Sequence, residues 1–148
     1  MARHSKMIEE LNDVLEKNYD AEKGYRKAAE EVHNQRLQTF FREKSTERSK
    51  FGDELKAEIR SLGGDPEQSG STKGSLHRGW IDFKSSLSSD NEEAVLEEVE
   101  RGEKAALKDY RELIHDKDVP VSTRQMIERQ CDRIEATLSR VDAMEDIR

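Results

Sequence analysis

An all-α fold is predicted here: four long helices, paired as two antiparallel hairpins and joined by a long crossover that holds a short extra helix. Three observations predict it. Apolar residues recur at three- and four-residue spacing over four long stretches. No stretch alternates with the period of two that a half-buried strand requires. A Gly-, Ser- and Pro-rich break near the middle divides the four stretches into two pairs.

The first helix is expected over about 5–33, with Ser5 as N-cap and a stripe of Ile8, Leu11, Leu15, Asn18, Glu22, Tyr25, Ala29 and Val32. The second, about 36–62, carries Leu37, Phe40, Phe41, Phe51, Leu55, Ile59 and Leu62 before Gly63-Gly64 and Pro66 stop it. The Asn34-Gln35 junction is short, so these two helices are antiparallel neighbours. Within the crossover, 75–87 reads as a short helix around Leu76, Trp80, Ile81, Phe83 and Leu87, with Trp80 closing one end of the core. The third long helix is expected over about 91–115 behind Asp90 as cap, with Glu92, Glu93, Glu97 and Glu98 favoured by its positive N-terminal dipole. The fourth, about 122–146, starts at Ser122 and carries Ile127, Cys131, Ile134, Leu138 and Val141.

All of this fits one domain, 1–148. Only 32% of the 148 residues are hydrophobic and 40% are charged, a balance that would suit a disordered chain if the apolar positions were scattered. They form stripes, and long charged helices need only a narrow stripe each, so a bundle is the globular form this composition can build. With 26 basic and 33 acidic side chains the net charge is −7. That lacks the positive field needed to bind phosphate backbones, so nucleic acid is not an expected partner. Cys131 is the only cysteine, which rules out an internal disulfide and suits a reducing compartment. No apolar run has signal-peptide or membrane-spanning length, so a cytoplasmic protein without a membrane partner is expected. Nucleotide loops, serine-nucleophile elbows and paired-cysteine zinc motifs have no counterpart in the chain.

Chemistry, if present, belongs to a near-repeat. Ala21-Glu22-Lys23-Gly24 and Gly102-Glu103-Lys104-Ala105 each set a glutamate into an apolar stripe, the second running Leu96, Val99, Glu103, Ala106, Tyr110, Leu113. Two inward carboxylates without partners would be strongly destabilising, so they should recruit cations or protons, pair with basic side chains, or stand at an edge with access to water. Arg26, Arg48, Lys50 and Arg129 are available for such pairing. Tyr25 and Tyr110 share these faces and read as core aromatics with satisfied hydroxyls. His77 in the crossover reads as a loop residue bonded to a carbonyl, and His4, His33 and His115 share no ligand spacing.

Gly63-Gly64-Asp65-Pro66, Gly70-Ser71, the run Gly74-Ser75-Leu76-His77-Arg78-Gly79-Trp80 and the segment Glu97-Glu98-Val99-Glu100-Arg101-Gly102-Glu103 resemble a bacterial family of ferritin-like four-helix-bundle proteins of unknown function. The resemblance covers nearly the whole chain, and Leu-His-Arg-Gly-Trp is its most specific mark. It implies a ferritin-like bundle whose wider group includes di-iron oxidases, iron stores and stress-linked proteins. A ferritin-like di-iron site takes one glutamate from each of two helices and a Glu-x-x-His motif from each of the other two. Matched residue by residue, Glu22 and Glu103 stand for the single glutamates, Glu47-Arg48-Ser49-Lys50 and Glu128-Arg129-Gln130-Cys131 for the motifs. Both histidine positions are lost, to Lys50, which repels a cation, and to Cys131, a softer ligand that suits zinc better than an oxygen-activating pair.

The functional expectation is therefore a non-enzymatic, structural or stress-associated bundle with a degenerate di-metal site and no cofactor. The alternative is a protein that binds iron or another divalent metal through Glu22, Glu47, Glu103 and Glu128, with Cys131 as a further ligand; as an enzyme it would be a di-iron carboxylate oxidoreductase. Self-association into a homodimer stays open, as no apolar outer patch is legible to direct it.

Overall fold

The computed structural model describes residues 4–68 and 92–147. They form α1 (Ser5–Glu31), α2 (Gln35–Ser61), α3 (Glu92–Ile114) and α4 (Val121–Ile147), with no strand among the described residues. The helix bounds fall within two residues of those expected. The short helix expected over 75–87, with His77 and Trp80, and the Asp90 cap lie outside the described residues.

Cross-helix bonds fix the connection order. Lys17 pairs with Asp109 at 2.8 Å, Tyr25 reaches Glu103, and the Asn34 amide donates to Glu92 at 2.9 Å, so α1 and α3 are antiparallel. Glu47 meets Arg133, Glu54 meets Gln130 and Glu58 meets Ser122, so α2 and α4 are antiparallel too. The short turns make α1 antiparallel to α2 and α3 to α4. The two middle helices thus point the same way, and the chain between 68 and 92 joins opposite ends of the bundle. Its described start already turns back along α1: Asn12 holds the Asp65 carbonyl and the Glu67 amide, at 3.0 and 2.8 Å, and the Tyr19 hydroxyl donates to the Glu67 carbonyl at 2.9 Å.

The helix ends follow local chemistry. Asn34 Oδ1 accepts from the Arg36 and Leu37 amides, at 2.8 and 3.2 Å, and so starts α2. At the other end Gly63 adopts φ 92°, a left-handed conformation that favours glycine. The Gly63 amide then returns to Arg60 O and the Gly64 amide to Ile59 O, closing the helix as a Schellman turn does. Gly64 lies so close to α1 that an added Cβ would stand 2.6 Å from Ile8 Cγ2.

Two expected caps are placed differently. Ser5 is the first helical residue, behind His4, which makes no side-chain cap bond. Ser122 lies inside α4, because the Pro120 carbonyl already accepts the Arg124 amide at 2.9 Å; its hydroxyl instead donates to Glu58 at 3.1 Å.

The apolar interior is divided. One cluster gathers Leu11, Leu15, Phe51, Leu55, Ile59, Leu107, Ile127 and Ile134 with their neighbours. The other gathers Ala21, Tyr25, Ala28, Phe41, Leu96, Val99 and Val141 toward the Asn34 end. Among the described residues no helix is long and apolar enough to cross a membrane.

Replacing Asn34 by Ala removes the acceptor of two otherwise unpaired amides and is expected to cost about 1 kcal/mol of stability, measured as a lower urea midpoint with an unchanged denaturant slope.

Candidate functional site: a buried polar layer

Between the two apolar clusters, polar side chains from α1, α2 and α3 meet. Arg48 of α2 is 3% exposed and Glu103 of α3 is 1% exposed, and the guanidinium Nη2 donates directly to Glu103 Oε1. The other carboxylate oxygen accepts the Tyr25 hydroxyl at 2.5 Å. Asn18 Oδ1 accepts from Arg48 Nη1 at 3.2 Å, and Asn18 Nδ2 donates to the Arg48 carbonyl at 2.7 Å. Gly52, one turn beyond Arg48, lets the Asn18 amide in: a Cβ there would stand 3.3 Å from Asn18 Nδ2. Beside this group the Tyr110 hydroxyl donates to Gln130 Oε1 at 2.6 Å, and Gln130 Nε2 donates to Glu54 at 2.8 Å.

Burial drives the electrostatics of this layer. It pushes the Glu103 carboxyl above its ordinary range, while the Arg48 charge and the Tyr25 hydroxyl pull it back. For Arg48, burial acts to lower the guanidinium, and Glu103 together with Tyr110, Tyr25 and Glu47 more than offsets it, so the group is held above its ordinary value. Tyr25 and Tyr110 are pushed well up, first by burial and then, in Tyr25, by Glu103. Every hydroxyl proton therefore stays in place at neutral pH.

The five residues proposed as ligands from the sequence are dispersed. Glu22 is half-buried and accepts from Arg26, one turn along α1, at 3.0 Å. Glu47 takes Arg133 of α4 at 2.6 Å and Lys44 at 3.4 Å. Glu103 is engaged by Arg48 and Tyr25. Glu128 is exposed on α4. Cys131 is buried among the apolar side chains, and burial, with Glu135 next, pushes its thiol up, away from the thiolate that ligation or redox sensing requires. Among the described residues, no three of these five bring ligand atoms within 4.8 Å of one another. Lys50, at one lost histidine position, is exposed.

The near-repeat is thus asymmetric in space. Glu103 points inward while its counterpart Glu22 turns to the edge, and Ala21 occupies the core beside it. Asn18 and Gln130, both buried, had no assigned role in the sequence reading. A signal existed for the pair's cation: Phe41, Arg48 and Leu55 stand seven apart on one face of α2. For Gln130 the signal is the alternation Thr123, Ile127, Gln130, Ile134, Thr137, Val141, all of which are buried.

A second acidic group lies where α3 begins and α4 ends. Oxygens of Glu100, Asp142 and Glu145 lie within 4.8 Å of one another. Burial, a hydrogen bond with Glu100 and the charges of Glu100, Asp142 and Glu97 raise Glu145 to about 7, whereas Lys104 holds Glu100 below its ordinary value.

Two outcomes follow from this electrostatic arrangement. Arg48→Ala leaves a buried carboxylate uncompensated and is expected to cost about 3–5 kcal/mol in urea unfolding, whereas the double variant Arg48→Met, Glu103→Leu recovers most of that loss. In the acidic group the folded protein binds more protons than the unfolded chain between 4.5 and about 7, so stability falls as pH rises through that window and flattens above it. Glu100, shifted downward, acts only at lower pH, where its contribution is lost as pH falls. Glu145→Gln should flatten the decline in melting temperature between about pH 5 and pH 7.

No curated protein matches the chain. The family model described as "Domain of unknown function (DUF2383)" matches residues 6–116, which span α1, α2, α3 and the residues Asn18, Tyr25, Arg48 and Glu103. The chain therefore belongs to the DUF2383 family.

Proposed function

We propose that this protein is a non-enzymatic helical bundle, structural or stress-associated, in which an arginine side chain takes the place of a metal in a degenerate ferritin-like centre. The observation that carries this reading is the buried Glu103 carboxylate with Arg48 on one oxygen and Tyr25 on the other. A carboxylate so engaged has little lone-pair capacity left for a cation, and a guanidinium among the donors repels one. Glu22 and Glu47 are likewise paired with cationic side chains of this chain, and Glu128 faces solvent. These residues fit a di-metal centre poorly. The lone cysteine favours a reducing, cytoplasmic location, and the stress association comes from the resemblance to ferritin-like relatives alone.

Elemental analysis of protein purified without chelator or affinity metal, repeated after aerobic addition of ferrous iron, tests this reading. The expected result is no bound transition metal and an unchanged melting temperature with added metal. Iron or manganese at about two per chain would sink the reading and favour the di-iron alternative. In that case metal at a hundred times its dissociation constant would add about 2.7 kcal/mol of stability.

A further inference from the structure

The solvent face of α3 carries one line of charges, Glu93, Glu97, Glu100, Lys104, Lys108 and Arg111, spaced by threes and fours along the helix. All are exposed except Glu100, which is partly so. The sign changes once, between Glu100 and Lys104. Asp142 and Glu145 from the end of α4 extend the acidic half. In the basic half Lys104, Lys108, Arg111 and His115 line a shallow cleft with Lys6 of α1, against Glu112 and Asp116.

The helix dipole does not account for this segregation. Its influence fades within the first and last turns, yet the change of sign sits in the middle of α3. Asp142 and Glu145, moreover, lie near the negative C-terminal end of their own helix, where a dipole disfavours them. Among the described residues, burial and the neighbouring Glu100, Asp142 and Glu97 raise Glu145 to about 7. Lys104 already pairs with Glu100 at 2.8 Å, and Arg111 with Glu135 at 2.5 Å. The described start of the crossover lies against Asn12 and Tyr19 of α1, and Lys56 of α2 stands over that tyrosine ring.

We propose that this face of α3 binds the same face of a second copy of the chain, antiparallel, about a two-fold axis midway between Glu100 and Lys104. In that arrangement Glu93 meets Arg111 of the second copy, Glu97 meets Lys108 and Glu100 meets Lys104, and each pair occurs twice, as an isologous interface requires. The basic cleft of one copy comes to the acidic group of the other. Exposed ion pairs are individually weak, and the charge pattern sets orientation and encounter rate more than affinity. The dimer is accordingly reversible and sensitive to salt.

Sedimentation equilibrium of the full chain tests this. At about 0.01 M salt, where the screening length is about 30 Å, a monomer–dimer equilibrium is expected; at about 1 M, where it is about 3 Å, the dissociation constant should rise at least about tenfold. The variant Lys104→Glu, Lys108→Glu and the variant Glu97→Lys, Glu100→Lys should each be monomeric, and an equimolar mixture should form a heterodimer, because one face is then acidic and the other basic. Circular dichroism checks that each remains helical. The neutral variant Lys104→Gln, Lys108→Gln, which adds no repulsion along the helix, should weaken the dimer at low salt. A wild-type chain that stays monomeric at low salt, or a dimer indifferent to salt and to these variants, would overturn the proposal.

Discussion

Among the described residues, the polar interior of the bundle is built around a buried ion pair, Arg48 with Glu103. Taking two charges out of water is costly, and their attraction offsets that cost only when the remaining donors and acceptors are also satisfied. Here the satisfaction is shared among helices: Asn18 and Tyr25 from α1 complete the pair, and Gly52 on α2 opens the space Asn18 needs. The neighbouring Tyr110–Gln130 bond brings in α4. The Arg48–Glu103, Tyr25–Glu103 and Gln130–Glu54 bonds therefore tie the two hairpins together. They also set register, since sliding any helix by a turn would place a charged group against Leu15, Phe41 or Leu55.

The same pair bears on chemistry. A bundle with inward carboxylates has a small set of ways to neutralise them, by metal, proton or basic side chain. Three of the glutamates in question are met by basic side chains, each in a different geometry: Glu103 across the core, Glu22 along its own helix, and Glu47 across the α2–α4 seam. Among the described residues, each of these three carboxylates thus has a cationic side chain beside it. A group of carboxylates lies outside, at Glu100, Asp142 and Glu145. Among the described residues, the exposed charges of α3 divide into an acidic half, extended by Asp142 and Glu145 of α4, and a basic half.

Much of the architecture was legible in the sequence because helical periodicity is a local property. The stripes of Leu11 and Leu15, of Phe41 and Leu55, and of Leu96 and Val99 name the core faces without knowledge of what they pack against. Asn34 and Gly63-Gly64 mark a boundary by conformational preferences that hold in any context. The connection order was legible as well, from two short turns and one long connection. Less was visible where a residue's role depends on its neighbour. Glu22 and Glu103 occupy the same pattern, but only Glu103 faces an arginine across the core, while Arg26 one turn away holds Glu22 at the edge.

The sequence by itself therefore determined that this is an all-α chain, where its four long helices begin and end, and which faces are apolar, since spacing, capping and helix-stopping act within a few residues. Tertiary structure alone decided which carboxylate is buried and what balances it. Arg48 and Glu103 are fifty-five residues apart along the chain, and whether a charge sits beside its counter-charge or beside water depends on how separate helices rotate and slide against one another, which no local pattern records.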